Sequence, residues 1–167
     1  MAGAPAGIVG AATSLTYNSA VAPYSEVSRL PYTPGQVVYN KDGTKAYRLV
    51  LMTVGAAVAG DMLAFSTAAD RYTVIAGTTD LPAAGLAINA IAQNYYGWIQ
   101  VAGLNDVALV TDGNVTIDDR CSLTTANDIK PATEAEMVGG AVCGTSLAAD
   151  TGSALAIGLF RLECPLE

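Results

Sequence analysis

The sequence predicts an all-β protein: a small antiparallel β-barrel or sandwich with an extended N-terminal arm and at most one short helix. Short segments rich in β-branched and aromatic residues recur between turns of Gly, Asn, Asp and Thr. An Asp-Gly pair separates two of these segments in the manner of a tight hairpin. Before them, Gly and Pro punctuate the chain too densely for a regular element. We therefore divide the chain into an arm, residues 1–34, and a β-domain, residues 35–167.

The clearest local signal is the hairpin at Asn40-Lys41-Asp42-Gly43, because Asp-Gly supplies the positive φ of a tight hairpin. It joins Gln36–Tyr39 to a return strand, Lys45–Thr53. Alternation in the return strand places Tyr47, Leu49 and Leu51 on one face and Arg48, Val50 and Met52 on the other. Both faces are largely apolar, which is typical of a strand inside a barrel or sandwich. Further strands are predicted at Met62–Phe65, Tyr72–Ile75, Gly85–Ile91, Gly97–Ala102 and Val107–Val110, and a short helix with a capping box at Thr133–Val138.

A faint internal echo links two parts of the β-domain. The segment 61–70, DMLAFSTAAD, resembles the segment 119–128, DRCSLTTAND. Each is followed some fifteen residues later by a strand that begins with glycine, at Gly85 and at Gly140. Two related lobes within one barrel would explain the echo, and coincidence between turn-rich strands is the alternative.

In the arm, tyrosines alternate with prolines that favour extended backbone. Such a segment either stays disordered or orders when it contacts a partner. We favour ordering on contact, and the predicted partner-contact residues are Tyr17, Tyr24 and Tyr32.

Composition favours association and argues against several function classes. Hydrophobic residues make up 51% of the chain and charged residues 14%, against about 25% charged in an ordinary domain. The alternative to self-association is a well-packed, Ala-rich monomer. The net charge is −7 and the eight cationic residues are scattered, so nucleic acid is not an expected ligand. The longest apolar run, residues 49–60, is shorter than the roughly 20 residues of a membrane-spanning helix, and no secretory signal is expected at the N-terminus.

Catalysis and metal binding are also poorly supported by the sequence. The chain contains no histidine, which removes the most common general base and the usual activator of Ser or Cys nucleophiles. The acidic pairs Asp118-Asp119 and Glu134/Glu136 are better explained as solvated residues than as catalytic carboxylates. A loose calcium loop at Asp112, Asn114 and Asp118 lacks the ligand order of an EF-hand. We therefore expect no enzyme activity, no metal and no cofactor, with three reduced cysteines made in a cytosol.

The most distinctive run is residues 94–103, NYYGWIQVAG. Alternation places Trp98, the only tryptophan, on one face with Gln100, and we interpret it as a core anchor rather than as part of a binding surface. The pattern Tyr96–Gly103 resembles a segment that recurs in head decoration (cement) proteins of tailed bacteriophages. The loose arm, the Ala/Gly-rich β-domain and the acidic balance are similar as well.

This resemblance implies a structural virion protein, made in the host cytoplasm, that binds the outer surface of an icosahedral capsid. Its partners would be the major capsid protein and further copies of itself, most often as a homotrimer, and it would brace neighbouring capsid subunits. The alternative from another class is a non-enzymatic binding module, such as a tail-fibre or receptor- or sugar-binding tip domain.

Overall fold

The computed structural model describes residues 5–6, 17–18, 32–66, 72–76, 81–110, 115–123, 129–135, 142–146 and 156–163. Nearly all regular structure in these ranges is β, which confirms the predicted fold class. Of the predicted helix at Thr133–Val138, Glu134 and Ala135 are helical, and residues 136–138 lie outside the described ranges. No helix in the described residues is long and apolar enough to span a membrane.

Twelve strands form one continuous hydrogen-bonded sheet. In chain order they are β1 (Pro5–Ala6), β2 (Tyr17–Asn18), β3 (Val37–Asn40), β4 (Ala46–Val54), β5 (Met62–Phe65), β6 (Thr73–Ile75), β7 (Ala83–Ala87), β8 (Tyr95–Val110), β9 (Arg120–Leu123), β10 (Ile129–Pro131), β11 (Val142–Ser146) and β12 (Ala156–Glu163).

Five of these strands close a barrel in the order β4-β6-β5-β7-β8, and β8 returns to pair with β4. The β4–β6 contact is parallel and the other four are antiparallel. We call this unit, residues 46–102, the N-terminal lobe. Because the circuit closes, none of the five strands has an unpaired edge along the length that is paired. This limits pairing with strands of other molecules.

The same circuit recurs in the second half of the chain. The order β8-β10-β9-β11-β12 closes through pairing of β12 with β8. Here the β8–β10 contact is the parallel one and the rest are antiparallel, as in the first circuit. We call residues 103–163 the C-terminal lobe. Strand β8 is shared, its first half belonging to one lobe and its second half to the other.

A repeated β-bulge fixes which residues correspond. Leu63 pairs with Gly85, and the register then shifts by one residue. In the C-terminal lobe Cys121 pairs with Gly144 at an equivalent shift. Both glycines have strongly positive φ, 152° and 159°. The echo in the sequence therefore reflects a structural repeat, but the counterpart of Gly85 is Gly144 and not Gly140.

The barrel interior explains the two-sided apolar pattern of β4. Val50 and Met52 are fully buried with residues from β5, β6, β7 and β8. Arg48 is also buried, and its guanidinium carbon lies 5.4 Å from the centre of the Phe65 ring. This cation–π contact places the charge over an aromatic face. The prediction that both faces of β4 face protein is confirmed, because Tyr47 and Leu49 on the opposite face are buried as well.

The hairpin at residues 40–43 forms as predicted between β3 and β4. Gly43 has φ +73° and donates its N–H to the Asn40 carbonyl over 3.0 Å. Asp42 accepts hydrogen bonds from the Thr44 hydroxyl at 2.7 Å and the Thr44 N–H at 3.2 Å. These bonds to the charged form lower the pKa of Asp42 below its ordinary value.

One strand prediction is wrong in a way that matters for the architecture. The segments Gly97–Ala102 and Val107–Val110 are parts of a single 16-residue strand, β8. The chain continues through Gly103, which has φ +95° and packs so tightly that an added Cβ would overlap the Thr44 carbonyl oxygen. Beside it, the buried Asn105 side chain donates to Gln100 Oε1 at 2.9 Å, and Gln100 Nε2 donates to the Leu104 carbonyl at 3.0 Å. Gly103 and the hydrogen-bonded side chains of Gln100 and Asn105 stabilise the junction between the two lobes.

Candidate functional site: an aromatic cluster outside the barrel

A second hydrophobic cluster lies on the face of β4 and β8 that points away from the barrel interior. Alternation in β4 and β8 sends Val50 and Ile99 inward, so that Leu49 and Trp98, which pair across the strands, point outward. The buried members of this outer cluster are Tyr32, Val38, Tyr47, Leu49, Tyr96 and Trp98. The outside of a small barrel usually meets water, so burial here means that other parts of the chain cover this face.

Trp98 and Tyr32 form the centre of the outer cluster. The ring centroids are 5.1 Å apart with an interplanar angle of 71°, the edge-to-face geometry that aromatic pairs prefer. Trp98 is 1% exposed and Tyr32 is 9% exposed. Trp98 is thus buried in this outer cluster and not in the barrel interior, and its role as an anchor for stability stays a prediction. Whether Tyr32 also contacts a partner stays a prediction.

The other two predicted contact residues are placed differently. Tyr17 belongs to β2, whose backbone pairs with β8 through Tyr17↔Tyr96 and Asn18↔Tyr95. Tyr24 lies outside the described residues. The structure thus brings Tyr32 onto Trp98 and the backbone of Tyr17 beside Tyr96. The division between arm and domain at residue 34 stays a prediction.

Two further tyrosines of the outer cluster have altered acidity. Burial raises the pKa of the Tyr47 phenol above 10.0, and the negative charge of Asp42 adds to the effect. Burial also raises the pKa of Tyr96, with a smaller contribution from Tyr72. In both cases loss of solvation disfavours the phenolate. The sequence placed Tyr47 on a buried face but gave no sign that Tyr96 and Tyr32 would share one cluster with it, since the three come from separate segments.

Two of the acidic residues considered for catalysis, Asp118 and Asp119, lie in the turn at residues 116–119. Asp119 Oδ2 accepts a hydrogen bond from the Thr116 N–H at 2.7 Å, which makes it a turn-stabilising residue. Asp118 precedes it in an exposed position with φ +69°. Asp112 and Asn114, the other members of the loose calcium loop, lie outside the described residues. Within the described ranges no group of three or more Cys, Asp or Glu side chains is arranged to hold a metal ion.

Comparisons with known proteins include a distant structural similarity. No protein-family model matches the chain. No curated protein matches it either. Among solved structures, the chain is similar to the N-terminal base of the head fibre protein gp8.5 of bacteriophage phi29. That similarity has a TM-score of 0.47 and 12% sequence identity, and it covers 74% of this chain and 98% of the phi29 chain.

Proposed function

We propose that this chain is a structural protein of a phage head that binds the outer surface of the icosahedral capsid and braces neighbouring capsid subunits. The observation that carries the proposal is the position of the run Tyr96–Gly103, which resembles head decoration proteins. This run forms the first half of β8, the one strand that belongs to both lobes. The resemblance therefore falls on the structural centre of the molecule and not on a peripheral loop.

The packing of the described residues suits such a role. Both faces of β4, β5 and β7 are largely buried, and the aromatic residues of the outer cluster are enclosed. A protein that stabilises a shell through many modest contacts needs a rigid body and exposed contact points rather than a reaction centre. The proposal includes self-association as a homotrimer on the particle, since low charge and high Ala/Gly content favour association.

The alternative, a receptor- or sugar-binding tip domain, gains less support from the structure. Sugar-binding sites commonly present exposed aromatic faces. In the described part of the chain Trp98, Tyr32, Tyr47 and Tyr96 are buried, and Tyr39 is the exposed aromatic at 47%.

The experiment that tests the capsid role measures attachment of the protein to phage shells. Purified protein mixed with shells from its source phage that lack it is expected to co-sediment and to add density outside the capsid in electron micrographs. It is also expected to raise the temperature at which the shells disassemble. Light scattering of the free protein at micromolar concentration reports self-association separately. A protein that neither co-sediments with the shells nor changes their stability would refute the capsid role.

A further inference from the structure

The structural repeat extends to a turn that occurs once in each lobe. In the N-terminal lobe the Val58 N–H donates to Asp61 Oδ2 over 2.8 Å, and the Asp61 N–H donates to the Val58 carbonyl over 3.2 Å. In the C-terminal lobe Thr116 and Asp119 make the same two bonds, at 2.7 Å and 3.2 Å. The residue before each aspartate has positive φ, 98° at Gly60 and 69° at Asp118. We call these the repeated turns, residues 58–61 and 116–119.

Each repeated turn exposes a large aliphatic side chain. Val58, at the first position of its turn, is 56% exposed, and Ile117, at the second position of its turn, is 60% exposed. Val54, just before the first turn, is 57% exposed. The other large hydrophobic side chains exposed in the described residues are Tyr39 and Leu104. The aspartate bonds hold both turns in one conformation, so presenting these side chains to a partner requires little ordering.

The two lobes are arranged as an approximate two-fold pair. Strand β5 contacts its counterpart β9, and β7 contacts its counterpart β11. Contact between equivalent elements is the mark of a two-fold relation. The strand directions agree with a two-fold relation. In the N-terminal lobe β4 runs antiparallel to the first half of β8. In the C-terminal lobe the counterparts of these two strands, the second half of β8 and β12, are also antiparallel.

This arrangement places the repeated turns at opposite ends of β8. The first turn follows β4, which ends beside the start of β8, and Ala57 bridges to Ile91 there. The second turn follows the C-terminal end of β8. A 16-residue strand spans at most about 50 Å, which sets an upper bound on the length of β8. One chain thus carries the same turn twice, once near each end of β8.

We propose that the repeated turns are two attachment points of one chain, in addition to the predicted contacts of the N-terminal arm, and that they bind the same apolar surface on two capsid subunits related by a local two-fold axis. This inference rests on the proposed function and makes it more specific. Matching symmetry favours it: an approximately two-fold molecule presents an exposed aliphatic side chain near each end to a two-fold related pair of identical surfaces. Both turns must be held if one chain is to link two subunits by itself, because a chain attached through one turn joins a second subunit only through its associated copies.

The experiment compares Val58→Asp, Ile117→Asp and the double variant with wild type on source-phage shells that lack the protein. Each single variant is expected to lose about tenfold or more in affinity, since burial of one aliphatic side chain is replaced by a charge that must be desolvated. The double variant is expected to bind more weakly than either single variant. At saturating concentration each single variant is expected to coat the shells but to raise their disassembly temperature less than wild type does.

The control is Tyr39→Asp. Tyr39 is a hydrophobic residue of β3 that is 47% exposed and belongs to neither turn, and this variant is expected to bind and stabilise as wild type does. Thermal melts of the free variants report folding, and Val58→Ser and Ile117→Ser replace any aspartate variant that fails to fold. If wild type binds no shell, the capsid role itself fails. If wild type binds but only one turn matters, neither turn matters, or Tyr39→Asp is equally impaired, the two-point attachment is overturned.

Discussion

At the scale of single residues, the outer cluster shows how side chains from separate segments stabilise one face of the barrel. Tyr32 precedes the first strand of the hairpin, Trp98 lies in β8, and Tyr47 lies in β4. Their association depends on the closure of the barrel, which brings β4 and β8 together. This cluster is therefore sensitive both to loss of an aromatic ring and to any change that makes its phenols ionise.

Replacing Trp98 by Ala is expected to lower the free energy of unfolding by about 3–5 kcal/mol, as for other fully buried aromatic residues. Tyr32→Ala is expected to cost less, since Tyr32 retains some exposure, although it also removes the edge-to-face contact, worth about 0.5–1.5 kcal/mol. Urea unfolding measures both. Tyr39→Ala, an exposed control, is expected to stay within about 0.5 kcal/mol of wild type. Equal stability of Trp98→Ala and wild type would contradict the anchor role.

The raised pKa values of Tyr47 and Tyr96 predict a loss of stability at high pH. In the folded protein these phenols hold their protons more tightly than in the unfolded chain. Their contribution is therefore fully present below the unfolded pKa of about 10 and is lost as pH rises through the folded values. Melting temperatures between pH 8 and pH 11 are expected to fall at the alkaline end. Tyr47→Phe and Tyr96→Phe are expected to flatten that fall, and an unchanged slope in the double variant would exclude these phenols as its cause.

At the scale of strands, prediction from sequence succeeded where a local signal was strong and failed where tertiary context decided the outcome. The hairpin was predictable because Asp42-Gly43 determines a turn by itself, and Met62–Phe65 was predicted with its observed bounds. The division of β8 at Gly103 was wrong because glycine usually marks an interruption, whereas here it allows the backbone to pass close to Thr44. Strand β10 could not be predicted, since Ile129–Pro131 is three residues long and contains a proline.

The repeat was visible in sequence only at its most constrained part. Asp61 and Asp119 match because each carboxylate stabilises the same turn. The glycine that follows was misassigned to Gly140, since spacing alone does not show which glycine occupies the bulge opposite Cys121. The outer cluster was missed for a similar reason, because no local pattern connects Tyr32 with Trp98.

Gly103 and Gly43 form a matched pair for testing the junction between the lobes. Both have positive φ, but a Cβ on Gly43 would meet nothing within 4 Å, whereas one on Gly103 would overlap the Thr44 carbonyl oxygen. Gly43→Ala is expected to cost about 1 kcal/mol from backbone strain alone. Gly103→Ala is expected to cost several-fold more or to prevent folding, as measured by chemical denaturation. Similar losses in the two variants would show that close packing at the junction contributes little.

At the scale of the whole molecule, we expect the two lobes and the N-terminal residues to make unequal contributions to stability. The lobes share β8 and a hydrophobic core that continues from Leu63 and Phe65 of β5 to Cys121 and Ile129 of the C-terminal lobe. The described residues of the segment 1–31 form β1 and β2, which are two residues long each and pair with β3 and β8. Each backbone hydrogen bond of that kind is worth about 0.5–1.5 kcal/mol net, so we expect the fold to depend mainly on the lobes.

Deleting residues 1–30 is accordingly expected to leave a folded protein with an almost unchanged melting temperature and sharply weaker binding to phage shells. The deletion removes Tyr17 and Tyr24 but keeps Tyr32 on Trp98. A deletion of residues 1–34 provides the contrast, because it also removes Tyr32 and is expected to lower the melting temperature by opening the outer cluster. Thermal melts followed by Trp98 fluorescence separate the two variants, and co-sedimentation with shells measures attachment. If the 1–30 deletion unfolds, the N-terminal residues are an integral part of the β-domain, and the division at residue 34 is wrong.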